Sequence, residues 1–160
     1  MIAIDTNILV YAHRSDSEWH SRARSCLRSL AEGRGQWGIP WACLHEFLAI
    51  VTHPRIYDPP SAIEAAVDQV DAWLEAPGTE LLGESGAHWE LLSETLCHGR
   101  IQGPIVHDAR VASTCIGHGV TELWTADRDF GRFPRLQVRN PLIEEHPDPC
   151  LARKSSRSLG

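Results

Sequence analysis

Hydrophobic positions along the chain follow two different patterns. Short apolar runs at residues 2–4 and 123–125 lack polar alternation, which is typical of parallel strands covered on both faces. Weaker runs at residues 37–39 and 80–82 predict two further strands. Between the runs, apolar residues recur every three or four positions, and this spacing predicts helices over residues 15–33, 41–53, 61–75, 86–97 and 104–118.

Several helix boundaries carry their own signals. Ser15 and Glu18 have capping-box spacing ahead of the first predicted helix, and Gly33 marks its end. Pro54 ends the helix over residues 41–53, and Pro104 begins the helix that leads to the last predicted strand. The helix over residues 61–75 is expected to bury its periodic apolar positions, which are Ile63, Ala66, Val67, Val70 and Leu74.

Alternating helices and strands define the predicted fold class. Parallel strands need long crossover connections, so this order favours a three-layer α/β/α sandwich with a mostly parallel central sheet. A chain of 160 residues is long enough to bury the core of one domain, which we expect over residues 1–142. Residues 143–160, rich in proline, serine and charge, are expected to form a flexible tail.

Composition excludes several classes of function. A net charge of −6 argues against a protein that binds nucleic acid through a generally basic surface. Five cysteines without a CxxC pair favour neither a disulfide framework nor a zinc ribbon, and they fit a cytoplasmic location. The sequence has no apolar stretch near the ~20 residues of a membrane span and no targeting signal, so no membrane partner is expected.

Four acidic residues are singled out by their positions. Asp5 and Asp127 each follow a predicted strand, and ligands bind at the carboxyl ends of strands in open α/β sheets. Glu46 and Asp108 lie within apolar helices, at the margin of the buried face. We expect the four carboxylates to converge although they are far apart in sequence.

Each acid has a structural explanation when it is taken alone. Asp5 would cap a short turn over residues 6–11, Asp108 would stabilise a helix N-terminus, and Asp127 would begin an Asx turn. Taken together, carboxylates ~4 Å apart repel one another by roughly 4 kcal/mol per pair at an effective dielectric near 20. A cation would offset this repulsion, and Mg²⁺ or Mn²⁺ suits a site made of oxygen ligands.

Neighbouring polar residues extend this hypothesis. Asp129 is either a fifth acidic member or the cap of a local turn. Thr6, Asn7 and Thr125 adjoin Asp5 or Asp127, where their side chains either orient the carboxylates or serve turn geometry. The residue pattern leaves both alternatives open.

The order of the motifs resembles a known family. The segments are IAIDTNILVYA (2–12), HEFLAIVTHPRIY (45–57), IVHDARVAS (105–113), LWTADRDFGRFPRL (123–136) and VRNPL (138–142). In this order and spacing they resemble PIN-domain ribonucleases, and most closely the VapC toxins of bacterial type II toxin-antitoxin pairs. The resemblance implies a PIN-like fold over residues 2–142 and an acidic site at Asp5, Glu46, Asp108 and Asp127, with Asp129 as a more variable member.

The same resemblance implies a mechanism and partners. The expected activity is hydrolysis of RNA phosphodiester bonds, in which one or two Mg²⁺ or Mn²⁺ ions, with Asp5 as central ligand, activate water and stabilise the leaving oxygen. Arg14, Arg110 and Arg128 are candidate phosphate contacts, or ordinary surface arginines. A VapB-like antitoxin and a homodimer are the implied protein partners, with the apolar edge of helix 61–75 available to either.

Other interpretations remain open. They are a PIN nuclease of RNA processing, a metal-dependent phosphatase with an aspartyl-phosphate intermediate, and a catalytically silent binding module. The phosphatase pattern requires an acid two residues after Asp5, where this chain has Asn7. His45 and His107 lack the spacing of a zinc site. The aromatic residues Trp41, Trp73 and Trp89 are predicted to belong to the core rather than to a base-stacking surface.

Overall fold

The structure is a computed structural model that describes residues 1–143. Within these residues, five strands alternate with six α-helices and one 3₁₀ helix. The strands are β1 (Ile2–Ile4), β2 (Trp37–Pro40), β3 (Thr79–Leu82), β4 (Glu122–Trp124) and β5 (Gln137–Arg139). The helices are α1 (Thr6–His13), α2 (His20–Ala31), α3 (Trp41–Val51), α4 (Ile63–Leu74), α5 (His88–Gly99) and α6 (Ile105–Gly117), and the 3₁₀ helix spans Arg128–Arg132.

All five strands pair in parallel, in the order β3-β2-β1-β4-β5. The chain first builds the sheet outward from β1 through β2 to β3, and then returns to add β4 and β5 on the other side of β1. The direction of building therefore reverses between β1 and β4. In open α/β sheets this reversal leaves a crevice at the carboxyl ends of the two central strands.

The helices form two packed groups. Helices α1 to α4 pack successively, with contacts of α1 to α2 and α3 and of α3 to α4, whereas α5 packs against α6. Parallel crossovers are right-handed, so the return connection from β3 to β4 places α5 and α6 on the opposite face of the sheet. The predicted three-layer α/β/α class is confirmed, with a sheet that is parallel throughout the described residues.

Three elements were not predicted, one of them the 3₁₀ helix at Arg128–Arg132. Residues 6–13 form α1 instead of a turn, because Ile8, Leu9 and Val10 are all buried and this short helix has no polar face to reveal its period. The edge strand β5 carries polar residues and spans three positions. The capping-box prediction was also wrong: α2 begins at His20, beyond both residues of the proposed box.

Helix α4 packs differently from the prediction. Its buried residues are Ala66 and Trp73, whereas Ile63 is 51% exposed and Val67 is 43% exposed. Trp73 replaces them in the core, where its ring meets the Phe47 ring edge-on at a centroid distance of 4.9 Å. Helix α4 packs against α3 and β3, and the face that carries Ile63 and Val67 remains at the surface.

The prediction for the other two tryptophans was wrong. Trp41 is 44% exposed and Trp89 is 68% exposed, so neither belongs to the core. Both lie in the first turn of a helix, α3 and α5 respectively, where fewer neighbouring elements surround a side chain.

Residues 144–160, and with them most of the predicted flexible tail, lie outside the described residues. Within residues 1–143, no helix combines the length and apolar content that crossing a membrane requires.

Candidate active site

The carboxyl ends of β1 and β4 are joined directly. The Asp5 backbone N–H donates to the Trp124 carbonyl oxygen at 3.1 Å. Asp5 is also the residue before α1, and its carbonyl oxygen accepts hydrogen bonds from the backbone of Ile8 and Leu9. Its carboxylate makes no capping hydrogen bond to α1, so the sequence-based alternative of a simple turn cap does not describe it.

Instead, the Asp5 carboxylate is held by side chains from three elements. The Asn7 amide and the Thr125 hydroxyl each donate to Asp5 Oδ2 at 2.6 Å, and the Cys43 thiol approaches Oδ1 at 3.6 Å. The Thr125 hydroxyl also accepts from Asn7 Nδ2 and from the Asp127 backbone N–H, both at 2.9 Å. Thr125 therefore links the two aspartates at the strand ends.

Asn7 completes this connection. Its side-chain oxygen accepts from the Ala126 backbone N–H at 2.9 Å, so one amide binds both Asp5 and the loop after β4. We call Asp5, Asn7, Thr125 and Cys43 the buried network. Within it, Asp5 is 5% exposed and Thr125 is 1% exposed.

Burial sets the protonation of Asp5. Desolvation of the carboxylate raises its pKa from 3.8 to about 6, and the nearby charge of Glu46 adds to this rise. The hydrogen bond from Thr125 and the neighbouring backbone N–H of Thr6 oppose this rise in pKa without cancelling it. A positive charge at this edge of the sheet would favour the ionised carboxylate.

Three further aspartates form a more open group. Among the described residues, Asp108, Asp127 and Asp129 each offer a carboxylate oxygen, and these oxygens lie within 4.8 Å of one another. Asp108 belongs to the first turn of α6, and the other two flank the start of the 3₁₀ helix. We call these residues the aspartate trio.

Local contacts within the trio do not neutralise it. Asp127 Oδ1 accepts the Asp129 backbone N–H at 2.8 Å, so the predicted Asx turn is present, and Arg132 lies 3.3 Å from Asp129 Oδ1. The pKa of Asp108 is raised, mainly by burial and then by the charges of Asp127, Asp129 and Glu46.

Glu46 joins the site from α3. Its Oε2 accepts the Thr6 hydroxyl at 2.6 Å, and this hydrogen bond connects α3 to the first turn of α1. Glu46 raises the pKa of both Asp5 and Asp108, which places it between the buried network and the trio.

Two adjoining clefts share the acidic residues. The first, which we call the acidic cleft, has a volume of about 310 Å³ and is bordered by Tyr11, Tyr57 and the carboxylates of Asp5, Glu46, Asp108 and Asp127. The second, of about 380 Å³, we call the histidine cleft. It shares Asp5, Glu46, Asp108 and Phe130 with the first and is further lined by Ala42, His45, His107, Arg110 and Val111.

The three candidate arginines occupy different environments. Arg110 lines the histidine cleft and pairs with Glu84 at 2.5 Å. Arg14 is held by Asp16 and stacks 4.0 Å from the centre of the Tyr57 ring, and the Asp16 hydrogen bond raises its pKa. Arg128 is exposed on the 3₁₀ helix, next in sequence to the trio.

Sequence reasoning missed three residues at the site, Cys43, Tyr11 and Tyr57, and misplaced a fourth beside it, Trp41. Cys43 lies three positions before Glu46 on α3, and this helical spacing was an available signal. Tertiary packing brings Tyr11 and Tyr57 to the acidic cleft, and no local sequence pattern predicts their position there. Trp41 had been assigned to the core by its residue type alone.

The chemistry of the trio fits a hard divalent cation. Its ligand atoms are carboxylate oxygens, and the like charges of the group already disfavour ionisation of Asp108. Mg²⁺ and Mn²⁺ accept one or two carboxylates directly together with water, whereas zinc sites in proteins favour histidine and cysteine. This region is therefore able to hold a cation and to bring phosphate oxygens beside it.

Comparison with known proteins identifies the family of the chain. The PIN domain family model matches residues 2–136. Ribonuclease VapC43 of Mycobacterium tuberculosis is 35% identical over 142 residues, covering 89% of this chain and 96% of that protein. The VapBC2 crystal structure from Rickettsia felis, bound to a promoter DNA fragment, superimposes with a TM-score of 0.61 at 25% identity, covering 88% of this chain and 98% of that one.

A more distant structure supports the fold. VapC20 of Mycobacterium tuberculosis, a toxin that cleaves the sarcin-ricin loop, has a TM-score of 0.63 at 18% identity and covers 88% of this chain and 100% of its own. The extent of the family match and the 35% identity over most of both chains decide the assignment. The chain belongs to the PIN-domain family, within which its sequence relatives are VapC ribonucleases.

Proposed function

We propose that this protein is a divalent-metal-dependent ribonuclease and the toxin of a VapBC-type pair. The observation that carries the proposal is the aspartate trio at the switch between β1 and β4, in a chain 35% identical to a VapC ribonuclease. Names of relatives support RNA as substrate, and the acidic donor set supports Mg²⁺ or Mn²⁺ as cofactor.

In this proposal the trio, together with Asp5 and Glu46, holds the cation. When bound, the ion supplies a water of lowered pKa and stabilises negative charge on the leaving oxygen of the phosphodiester. Thr125 and Asn7 fix the orientation of Asp5, and the Thr6 hydroxyl fixes Glu46. These hydrogen bonds reduce the reorganisation required when the substrate arrives.

Substrate phosphate contacts come from the cation and from Arg110. The guanidinium borders the histidine cleft, where its present partner is the exposed carboxylate of Glu84. An RNA phosphate would compete with Glu84 for this guanidinium, because bidentate geometry suits either anion. We give Arg128, which lies between Asp127 and Asp129 in sequence, a secondary role, and Arg14 a structural role against Tyr57.

Cleavage of a structured RNA tests the activity. Purified protein with Mg²⁺ or Mn²⁺ is expected to cut the RNA, whereas EDTA and Asp5→Asn are expected to abolish cutting. Equal cleavage by Asp5→Asn would identify a contaminating nuclease and contradict the proposal. Trapping of an acyl phosphate by borohydride would support the phosphatase alternative instead.

The toxin role requires a test in cells. We expect induced expression to arrest growth, and coexpression of a short neighbouring reading frame to relieve the arrest. The VapBC2 structure supports a VapB-like partner for this chain. Growth without arrest, with RNA cleavage retained in vitro, would favour a PIN nuclease of RNA processing.

We place the protein in the cytoplasm because its cysteine pattern suits a reducing compartment.

We also propose a homodimer that uses the exposed face of α4. Ile63 and Val67 lie one helical turn apart on this face, and Ile56 in the preceding loop is 54% exposed. Light scattering of the purified protein tests the proposal, with a dimer expected and a monomer expected for Val67→Glu. A monomeric wild-type protein would contradict it.

A further inference from the structure

Trp41 forms an exposed aromatic surface beside the candidate active site. It begins α3 and is 44% exposed, although its side chain is one of the largest apolar groups of the chain. The His45 ring lies one helical turn later, with the two ring centroids 5.6 Å apart and the ring planes inclined by 38°. We call this pair the aromatic ledge.

Packing underneath limits the movement of the ledge. A Cβ built on Gly83 would lie 3.8 Å from Trp41 Cδ1, so the indole rests against the loop that follows β3. The Gly83 carbonyl oxygen in turn accepts a hydrogen bond from His118 Nε2 at 2.7 Å, which fixes this loop to the end of α6. The indole thus has a supported side and a side that faces solvent.

The ledge continues into the histidine cleft. His45 lines this cleft and precedes Glu46 in sequence. The ledge therefore lies beside the acidic group and is not part of it. His107 and Arg110, both from α6, also line the cleft. A flat apolar ring, a guanidinium and an acidic cation site are therefore arranged along one continuous surface.

This arrangement matches the chemistry of one nucleotide. A nucleobase presents a flat π face, and its phosphate presents oxygens that suit a guanidinium or a cation. A base in a duplex is stacked on both sides, whereas an unpaired base is free to stack on an aromatic side chain. An acidic chain of net charge −6 gains little from general electrostatic attraction to RNA, which increases the value of a stacking contact.

We propose that Trp41 and His45 form a stacking subsite for an unpaired nucleobase of the RNA substrate, next to the phosphate that is cleaved. The proposal rests on the proposed ribonuclease function and adds to it a residue that selects unpaired RNA. Trp41 touches the base, and His45 supports the indole from the cleft side.

Binding measurements test the subsite without requiring cleavage. The probes are a fluorescent oligoadenylate and the same sugar-phosphate backbone without bases. All proteins in the binding assay carry Asp127→Asn, so that the RNA is not cleaved during the measurement. Trp41→Ala is expected to weaken oligoadenylate binding about tenfold, and Trp41→Phe to retain most of the affinity. Trp89→Ala is the matched control, because Trp89 is also an exposed tryptophan in the first turn of a helix; neither tryptophan lines a cleft itself, but Trp41 contacts His45, which lines the histidine cleft.

The abasic probe separates stacking from other effects of the substitution. When Trp41 is retained, the abasic probe should bind about tenfold more weakly than oligoadenylate. In Trp41→Ala, the two probes should bind with equal affinity. Equal binding of both probes to the Trp41 protein would overturn the proposal, as would an equal loss in Trp89→Ala. Weaker antitoxin capture by Trp41→Ala with unchanged RNA binding would also overturn it, and would assign the ledge to the protein partner.

Cleavage kinetics then distinguish the two proposals. In the otherwise native protein, Trp41→Ala is expected to raise KM for an unpaired RNA substrate about tenfold while kcat changes less. Trp41-dependent RNA binding without any cleavage would contradict the ribonuclease proposal and support the stacking subsite. Cleavage with the same KM by the wild type and by Trp41→Ala would contradict the stacking subsite and support the ribonuclease proposal.

Discussion

Two groups of carboxylates meet at one edge of the sheet, and they are stabilised in opposite ways. Asp5 in the buried network accepts hydrogen bonds from Asn7 and Thr125 and is almost completely enclosed. The aspartate trio is more open, and the pKa of its member Asp108 is raised by burial and then by the charges of Asp127 and Asp129. The buried network is organised by hydrogen bonds within the protein, whereas Arg132, paired with Asp129, offsets only part of the negative charge of the trio.

This difference separates two tasks at the site. The buried network connects β1, α1, α3 and the loop after β4, so it sets where the strand ends stand relative to one another. The trio provides negative charge that a cation is able to neutralise. Asp5 has both tasks, since it also belongs to the proposed cation site. Substitutions of the other members should therefore affect mainly stability in the buried network and mainly activity in the trio.

The largest effect is expected for the trio. We predict that Asp108→Asn lowers kcat/KM for RNA by about three orders of magnitude, because it removes a cation ligand and weakens charge stabilisation. The metal-free variant should be at least as stable as the wild type, since one repulsive charge is gone. RNA cleavage and thermal unfolding in EDTA measure the two quantities.

The matched control is Asp71→Asn, an exposed aspartate on α4 away from both clefts. It should leave cleavage and stability unchanged. A destabilised Asp108→Asn protein with normal kcat/KM would reverse the proposed division between the two groups.

The pH dependence of stability should reveal the buried network. The folded-state pKa of Asp5, about 6, lies above the ordinary aspartate value of 3.8, so folding favours the protonated form. The metal-free protein should therefore be most stable below about pH 4 as far as Asp5 is concerned, and lose up to about 3 kcal/mol as pH rises through 6. Denaturant unfolding in EDTA at a series of pH values measures this loss.

Asp5→Asn is the control for that experiment, because it removes the titrating group. Its unfolding free energy should vary less between pH 4 and pH 7 than that of the wild type. Mg²⁺ should reduce the wild-type loss as well, since a nearby cation favours the ionised carboxylate. Identical pH profiles for the two proteins in EDTA would show that Asp5 titrates as an ordinary exposed aspartate.

Sequence patterns were sufficient for four of the five strands and for the convergence of Asp5 and Asp127. Asp5 and Asp127 follow short buried runs, and parallel pairing of β1 with β4 brings their carboxyl ends together. Patterns were insufficient for α1, where Ile8, Leu9 and Val10 are buried in succession and hide the helical period. Local periodicity identifies an element only when one of its faces remains polar.

The division within the acidic site was beyond the sequence for a different reason. The hydrogen bond from Thr125 to Asp5 joins residues 120 positions apart, and both the turn and the orienting interpretation of Thr125 fitted its local pattern. Exposure of Trp41 likewise depends on which elements surround the start of α3. Such facts arise from tertiary packing and become visible when the elements are assembled.

A smaller effect is expected from Thr125 itself. We predict that Thr125→Val destabilises the protein by about 2 kcal/mol at pH 7, because the substitution leaves the buried Asp5 carboxylate without one of its donors. Asp5 is less ionised at low pH, so the penalty should shrink below its folded pKa of about 6. Thr114→Val is the control, since this buried hydroxyl bonds to the backbone of its own helix at Arg110.

The smallest effect concerns Glu46, which lies between the two groups. We predict that Thr6→Val changes stability little, since Glu46 is exposed, but raises the Mg²⁺ concentration for half-maximal cleavage several-fold because the carboxylate loses its orienting hydroxyl. Thr6→Ser keeps a hydroxyl and should restore the wild-type Mg²⁺ response. If Thr6→Val instead lowers stability at constant Mg²⁺ response, Glu46 acts with the buried network, and the cation site reduces to the aspartate trio.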